Sequence, residues 1–194
     1  MIKIVVDCFG GDHSPSVNIE GAVKALQDNQ DIYLVLTGDE TKIKDELAKW
    51  QYDASRIEIV HAPDVITCND KPTEAIRMKK ESSLAKAYEL LRTDDTARAI
   101  VTLGSTGAVL AGAVLRVGRI SGVKRPAFCP IMPTMNQELV GVCDSGANVD
   151  CEPYYLQQFA IMGSLYMQKA YGVESPKVAL LNIEIGRASC REEC

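Results

Sequence analysis

The sequence predicts an α/β fold, a doubly wound and mainly parallel sheet with helices on both faces. Apolar runs rich in β-branched residues recur along the 194-residue chain. Most are continuous rather than alternating, the pattern of strands covered on both faces. Helix-like stretches separate them almost throughout, so strand and helix alternate as in parallel α/β architecture.

The first strand runs from Ile2 to Val6, and "DCFGGDHSP" leads from it towards a helix over Ser16 to Asp28. There "SPS" before Val17 places Ser and Pro where a cap and a first turn want them. Ile32 to Leu36 is the second strand. In "GDETKIKDEL" either Asp39 or Thr41 serves as cap for a helix over Thr41 to Lys49, with acids in its first turn. A third strand, Ile57 to Val60, precedes one long helix over Thr73 to Leu91. The fourth, Ala99 to Leu103, runs through "GSTG" into a helix of very small residues, Gly107 to Val117. Leu139 to Val142 and Val178 to Ile183 complete the strands, with a helix over Tyr154 to Tyr171 between them. The Pro-rich "RPAFCPIMPTMNQE" predicts a long irregular connection.

Length allows one large or two small domains. Hydrophobic residues make up 46% and charged residues 24%, as in ordinary globular proteins. No apolar run reaches the ~18 residues that span a bilayer, and the N-terminus lacks signal-peptide order, so a cytoplasmic location is expected. Seven cysteines stand at 8, 68, 129, 143, 151, 190 and 194, with no C-x-x-C pair and two histidines. That pattern favours buried or idle thiols over disulfides or zinc, and no metal or cofactor is expected. A net charge of −5 gives no reason to expect nucleic acid as a partner.

Ligands of open parallel sheets gather at the carboxyl ends of strands. Four such stretches stand out. In "DCFGGDHSP", Gly10 and Gly11 let backbone approach a ligand beside Asp12 and His13; a turn with a helix cap explains the same residues. In "VTLGSTGAVLAGA", Gly104 and Gly107 relieve the turn while Ser105 and Thr106 supply hydroxyls. The following helix aims free N–H groups back at that turn, where an anion would be welcome. It is neither a P-loop nor a dinucleotide fingerprint, and close packing of a small-residue helix accounts for it nearly as well. In "CDSGANVD", Asp144 and Asn148 follow a strand, as ligand groups or as cappers. In "IRMKKESSLAKA", Lys80, Ser82 and Ser83 lie near the middle of the expected helix, as a site or as a solvated face. Separately, "RVGRISGVKRP" gathers Arg116, Arg119, Lys124 and Arg125 in an acidic protein and suits an acidic partner.

Taken together, "VDCFGGDHSP", "RMKKESSLAKA", "VTLGSTGAVLAGA", "GRISGVKRPA", "DSGANVDCEPYYLQQFAIMGSLY" and "SPKVALLNI" resemble the phosphate acyltransferase family PlsX of bacterial phospholipid synthesis. The similarity keeps its order from Ile2 to Ile183. Phe9 stands where the family usually has Met, Cys8 where Ala is common, Leu103 and Ser105 where Ala and Asn are usual, and Ser145 where Val is common. The resemblance implies the α/β/α fold shared with isocitrate dehydrogenase and phosphotransacetylase, and a homodimer. It also implies conversion of acyl-(acyl carrier protein) and inorganic phosphate to acyl phosphate, with peripheral membrane contact in the full-length protein.

On that resemblance the Gly104 to Gly107 turn holds phosphate or the oxyanion. Gly10, Gly11 and Asp12 shape the opposite wall with His13 beside them, Asp144 and Asn148 orient groups by hydrogen bonds, and Lys80 faces the phosphate with Ser82 and Ser83 near it. Arg116, Arg119, Lys124 and Arg125 dock the acidic carrier protein. Two rivals remain at this point: an oxidoreductase of the isocitrate dehydrogenase type, for which no D-x-x-x-D follows a strand, and a non-catalytic fragment that only binds carrier protein. Family members continue well beyond this length, so residues 1–183 are expected to be the N-terminal portion of the α/β domain. The tail "EIGRASCREEC", residues 184–194, resembles a translated sequencing adapter and is expected to be foreign. A sheet cut in mid-order predicts a poorly soluble, inactive polypeptide.

Overall fold

The computed structural model describes residues 1–181. They fall into two compact units that divide after Arg119. In the first, β1 (Ile2–Asp7), β2 (Ile32–Gly38), β3 (Ile57–His61) and β4 (Ala97–Val101) form an all-parallel sheet in the order β3-β2-β1-β4. Val6 pairs with Leu36 on one side and Val101 on the other, so β1 is central.

Helices α1 (Ser16–Asp28) and α2 (Glu40–Leu47) cover one face, where Ile19, Val23, Leu26, Ile43 and Leu47 bury against Val6, Leu34 and Leu36. On the opposite face Ala87 of α4 (Ser83–Thr93) joins Val5, Val35 and Ala97. There α4 also packs with α3 (Pro72–Met78) and α5 (Thr106–Gly112) around Ile76, Leu84, Tyr88 and Ala108. Each fully buried aliphatic side chain contributes about 1.5–3 kcal/mol. The expected doubly wound arrangement is therefore present in this unit.

Several local expectations hold and several need correction. Asp39, not Thr41, caps α2, its carboxylate accepting the N–H groups of Thr41 and Lys42 at 3.0 and 3.1 Å. Ser14 does not cap α1; its hydroxyl donates to the carbonyl of Phe9 instead. The single helix expected over Thr73 to Leu91 is two helices. Ser82 breaks it, because its hydroxyl accepts the N–H of Ala85 and donates to the carbonyl of Lys79, the competition with helical bonding that short hydroxyl side chains offer. The helix of small residues continues from α5 through a wider turn, Ala113–Val117.

In the second unit the run Leu139 to Val142 is not a parallel strand. It supplies β6 (Leu139–Gly141), antiparallel to β5 (Ile131–Pro133), and β5 itself lies inside the stretch expected to be irregular. The turn between them is short, with the N–H of Thr134 on the carbonyl of Glu138, and so short a link joins only antiparallel neighbours. Helix α6 (Pro153–Tyr171) follows, with Pro at its start and Gly172 at φ +69° ending it. Residues 178–181 of the last expected strand are unpaired among the described residues, and its remainder lies outside them, as does the 184–194 tail.

The long connection from β3 to α4 is tied by an ion pair between Lys79 and Asp70 at 2.7 Å, with Lys79 also donating to the carbonyl of Val65. The Lys79 ammonium, helped by the N–H of Thr67, holds the Asp70 carboxyl down at about 2. A folded value below the usual ~3.9 means that the clasp contributes fully above that pH and is lost as pH falls towards 2. Thermal unfolding of wild type and Asp70→Asn is therefore expected to differ at pH 6 and to converge by pH 2.

A second prediction concerns Gly112. A Cβ there would run into the ring of Tyr88, whose hydroxyl is fixed on the carbonyl of Val109 at 2.7 Å. Gly112→Leu should cost about 1–3 kcal/mol by urea denaturation, as overpacking of a closed core does.

Candidate functional site

The topology itself marks a place. From β1 the chain crosses to β2 and β3 on one side, while β4 lies on the other, so the carboxyl ends of β1 and β4 flank a switch point. At that point stand the two glycine turns singled out in the sequence.

Asp7 ends β1 and is only 2% exposed. Its carboxylate accepts the hydroxyl of Thr102 at 2.8 Å and the N–H of Phe9 at 3.2 Å. The Thr102 oxygen in turn accepts the N–H of Gly104 at 3.0 Å. A buried carboxylate thus ties the first turn to the second, and hydrogen bonds offset much of the cost of removing it from water. Asn18 of α1, 7% exposed, clamps the first turn from behind, its side-chain amide donating to the carbonyls of Asp7 at 2.9 Å and Gly10 at 3.0 Å.

The approach of the turns is too close for a side chain. A Cβ on Gly10 would lie 2.7 Å from the Gly104 nitrogen, 2.8 Å from the Thr102 oxygen and 2.9 Å from an Asp7 oxygen. Gly11 adopts φ +96°, a conformation open to glycine. Asp12 and His13 follow on the exposed lip. On the other side Ser105 caps α5, accepting the N–H groups of Ala108 through its hydroxyl and Val109 through its carbonyl. The N–H groups of Thr106 and Gly107 precede these first helical bonds and are the donors such an end leaves over. Gly107 has a packing role as well, since a Cβ there would sit 2.8 Å from the ring of Pro72.

The structure therefore brings Gly10, Gly11 and Gly104 together, with Ser105, Thr106 and Gly107 continuing the second turn. It places other expected residues elsewhere. Lys80 lies in the break between α3 and α4 and lines a polar cleft of about 330 Å³ with Lys86, Arg92 and Arg116, alongside Glu81 and Glu89. Ser82 is the cap of α4, and Ser83 is buried with its N–H on the carbonyl of Asp64.

Asp144 and Asn148 belong to the second unit, where they hold each other. One Asp144 oxygen accepts the N–H of Phe128 at 2.7 Å, and the other accepts the N–H and the side-chain amide of Asn148 at 2.8 and 3.1 Å. The Asn148 amide also donates to the carbonyl of Pro126 at 2.9 Å, so the pair knits two loops together. The expected docking cations divide as well. Arg116 and Arg119 close the first unit, Arg116 donating to the carbonyl of Ile76, while Lys124 and Arg125 open the second, Arg125 lying over the ring of Tyr155.

Burial pushes the thiols of Cys8 and Cys143 up, Cys143 to about 12, which leaves them protonated and poor nucleophiles. Among the described residues no group of three or more His, Cys, Asp or Glu could hold a metal, and no helix is long and apolar enough to cross a membrane. Asp7, Asn18 and Thr102 do not stand out as site residues in the sequence. Asp7 is the first polar residue after the run Ile2 to Val6, whereas Thr102 lies inside the run expected over Ala99 to Leu103, which ends as a strand at Val101.

Comparison with known proteins places the chain in a family. Residues 2–191 match the family described as fatty acid synthesis protein. A phosphate acyltransferase from Clostridium acetobutylicum is 47% identical over 180 residues, 93% of this chain and 54% of the relative. One from Clostridioides difficile is 43% identical over 182 residues, 94% of this chain and 53% of the relative. The chain belongs to this family. It spans about half the length of the curated relatives it matches. A phosphotransacetylase of the EutD type from Staphylococcus aureus shares the fold, with a TM-score of 0.67 at 19% identity over 97% of this chain and 58% of that one.

The contact between the turns makes a direct prediction. Gly10→Ala must displace backbone at Gly104 and is expected to destabilise the first unit by roughly 2 kcal/mol or more, whereas Gly104→Ala, whose Cβ would meet its nearest atom at 3.2 Å, costs clearly less. Chemical denaturation of the two variants side by side measures the difference.

Proposed function

We propose that the full polypeptide transfers an acyl group from acyl carrier protein to inorganic phosphate, forming acyl phosphate for phospholipid synthesis, at the switch point between β1 and β4. The observation that carries this is the pair of glycine turns held in backbone contact there, in a chain whose relatives are named phosphate acyltransferases.

The chemistry asks little of acid–base groups. A phosphate oxygen attacks the thioester carbonyl, the carbonyl π pair moves to oxygen, and collapse of the tetrahedral intermediate breaks the C–S bond and releases the carrier's thiolate. A thiol of pKa ~8.5 leaves without strong acid assistance, so positioning and charge stabilisation dominate. The N–H groups of Thr106 and Gly107 are suited to the anionic oxygen, and the bare Gly10–Gly11 turn lets substrate come against backbone. Asp12 and His13 line the lip. Lys80 belongs to a cleft lined by none of the glycine-turn residues, which favours a role in anion binding at that cleft over a contact with the reacting phosphate. Asp144 and Asn148 shape a loop of the second unit. In this account the complete protein works in the cytoplasm as a homodimer, with peripheral membrane contact, and Arg116, Arg119, Lys124 and Arg125 receive the acidic carrier.

A test exploits the first position of α5. Proline is tolerated there because that N–H makes no helical bond, and Ser105 at φ −56°, ψ 122° already has the conformation required before proline. Thr106→Pro therefore removes one donor and spares the fold. In residues 1–181 continued by the remaining half of the Clostridium acetobutylicum relative, it is expected to cut acyl phosphate formation at least tenfold at unchanged thermal stability. An unchanged rate would refute the assignment.

A further inference from the structure

Spacing alone marks the cysteines as idle, but the fold brings two of them together within the second unit. Ile131, Met132 and Pro133 face Gly141, Val140 and Leu139 across the antiparallel ribbon. One step along the same register, the N–H of Val142 donates to the carbonyl of Pro130 at 3.1 Å, and Pro130, having no N–H, returns no bond. Residues 130 and 142 are thus a hydrogen-bonded pair. That puts Cys129 and Cys143, one step further out, opposite each other in a non-hydrogen-bonded pair. Past them the register slips, with the N–H of Ser145 on the carbonyl of Phe128 at 3.0 Å. Non-hydrogen-bonded pairs hold their Cα atoms ~4.5 Å apart, within the ~4.4–6.8 Å that a disulfide spans.

Both side chains lie on the α6 side of the ribbon. A Cβ on Gly141 would stand 3.2 Å from the Cys129 Sγ and 3.4 Å from the Met167 Sδ, and one on Gly163 of α6 would stand 3.6 Å from the Cys143 Cβ. The two cysteines line one cavity of about 330 Å³ together with Phe128, Met162 and Tyr166. Burial, and after it the adjoining Cys129 thiol, raises the Cys143 thiol to about 12, so each sulfur lies in the other's field.

From this register we propose that Cys129 and Cys143 are a redox modification site, which takes a small disulfide of the glutathione class and closes into a cross-strand disulfide. The Cys129 thiolate attacks one sulfur of the oxidant, whose S–S bond breaks to release one glutathione thiolate. Burial keeps Cys143 protonated and leaves the first attack to Cys129. The Cys143 sulfur, losing its proton, then displaces the second glutathione from the mixed disulfide, proximity making up for its low thiolate fraction. Two electrons and two protons pass from the cysteines to the oxidant, which leaves as two thiols. The link staples the ribbon beside the bond from the N–H of Phe128 to Asp144. This inference does not depend on the reaction proposed above.

The test maps the link. The 194-residue chain is incubated with glutathione disulfide, its remaining thiols are blocked with iodoacetamide, and it is cleaved after Lys, Arg and Glu for mass spectrometry. Cleavage at Lys124, Glu138 and Glu152 leaves Cys129 in residues 125–138, and Cys143 with Cys151 in residues 139–152. In buffer these two peptides should be joined, in Cys151→Ser as in wild type, roughly tenfold or more faster than any link to Cys151 forms. In concentrated urea that preference should vanish in favour of Cys143 with Cys151, which stand eight positions apart rather than fourteen and close the shorter loop. Cys143→Ser should trap glutathione on residues 125–138, whereas Cys129→Ser should slow the adduct on Cys143 roughly tenfold or more. Should the 194-residue chain show no cooperative melt, the same readouts are taken on residues 1–181 continued by the second half of the Clostridium acetobutylicum relative. Thiols that stay open to alkylation, adducts without a link, a link through Cys151 in buffer, or the same links in urea as in buffer each overturn the inference.

Discussion

The first unit depends on one close approach, that of the backbone at Gly10 to the backbone at Gly104. Parallel neighbours whose crossovers leave in opposite directions open a crevice at their carboxyl ends, and in most folds the loops diverge there. Here they are drawn together by Asp7, which sits in the interior as a carboxylate shared between Thr102 of one turn and Phe9 of the other. A charge so placed is costly unless its oxygens are occupied, and the occupants are groups whose positions define the turns. Asn18 applies the same logic from α1, spending both of its amide hydrogens on carbonyls of the first turn.

This arrangement decides what kind of chemistry the crevice can support. Several side chains that looked like reagents in the sequence are engaged in holding backbone: Ser82 caps a helix, and Asp144 and Asn148 hold each other. What faces the crevice is mostly main chain, N–H groups at the start of α5 and glycines without Cβ. Fixed dipoles of this kind need no reorganisation when negative charge develops, which suits a reaction whose leaving group departs unaided. A general base with a strongly shifted pKa is not needed for phosphate, already anionic at neutral pH, to attack a thioester.

The sequence showed most of this sheet because its signals were local. Continuous apolar runs marked β1 to β4, and the residue after each run marked the edge of the crevice. The failures were of two kinds. In the long helix expected over Thr73 to Leu91, apolar periodicity ran through Ser82, and only the competition of its hydroxyl for backbone broke it. At Leu139 to Val142 a short apolar run could not reveal its partner, and antiparallel pairing with Ile131–Pro133 depended on a turn hidden inside a Pro-rich stretch. In the site, glycines were visible because a turn needs them. The Asp7–Thr102 clasp was not, because a hydrogen bond between residues 95 positions apart leaves no pattern in a sequence.

The glycine turn at Gly104 depends on β4. This strand pairs only with β1 among the described residues, it carries the Gly104 turn at its end, and it exposes Val101 on the α1 face. A strand held on one edge and covered on one face opens locally at lower free energy than a central one, since fewer buried contacts oppose its fraying. Catalysis by fixed amides tolerates little such motion, because a displacement near 1 Å costs far more rate than it costs stability. Covering the α1 face of β4 would therefore do more than hide apolar surface. It would hold the floor of the crevice at the distance from Asp7 that the Thr102 bond sets.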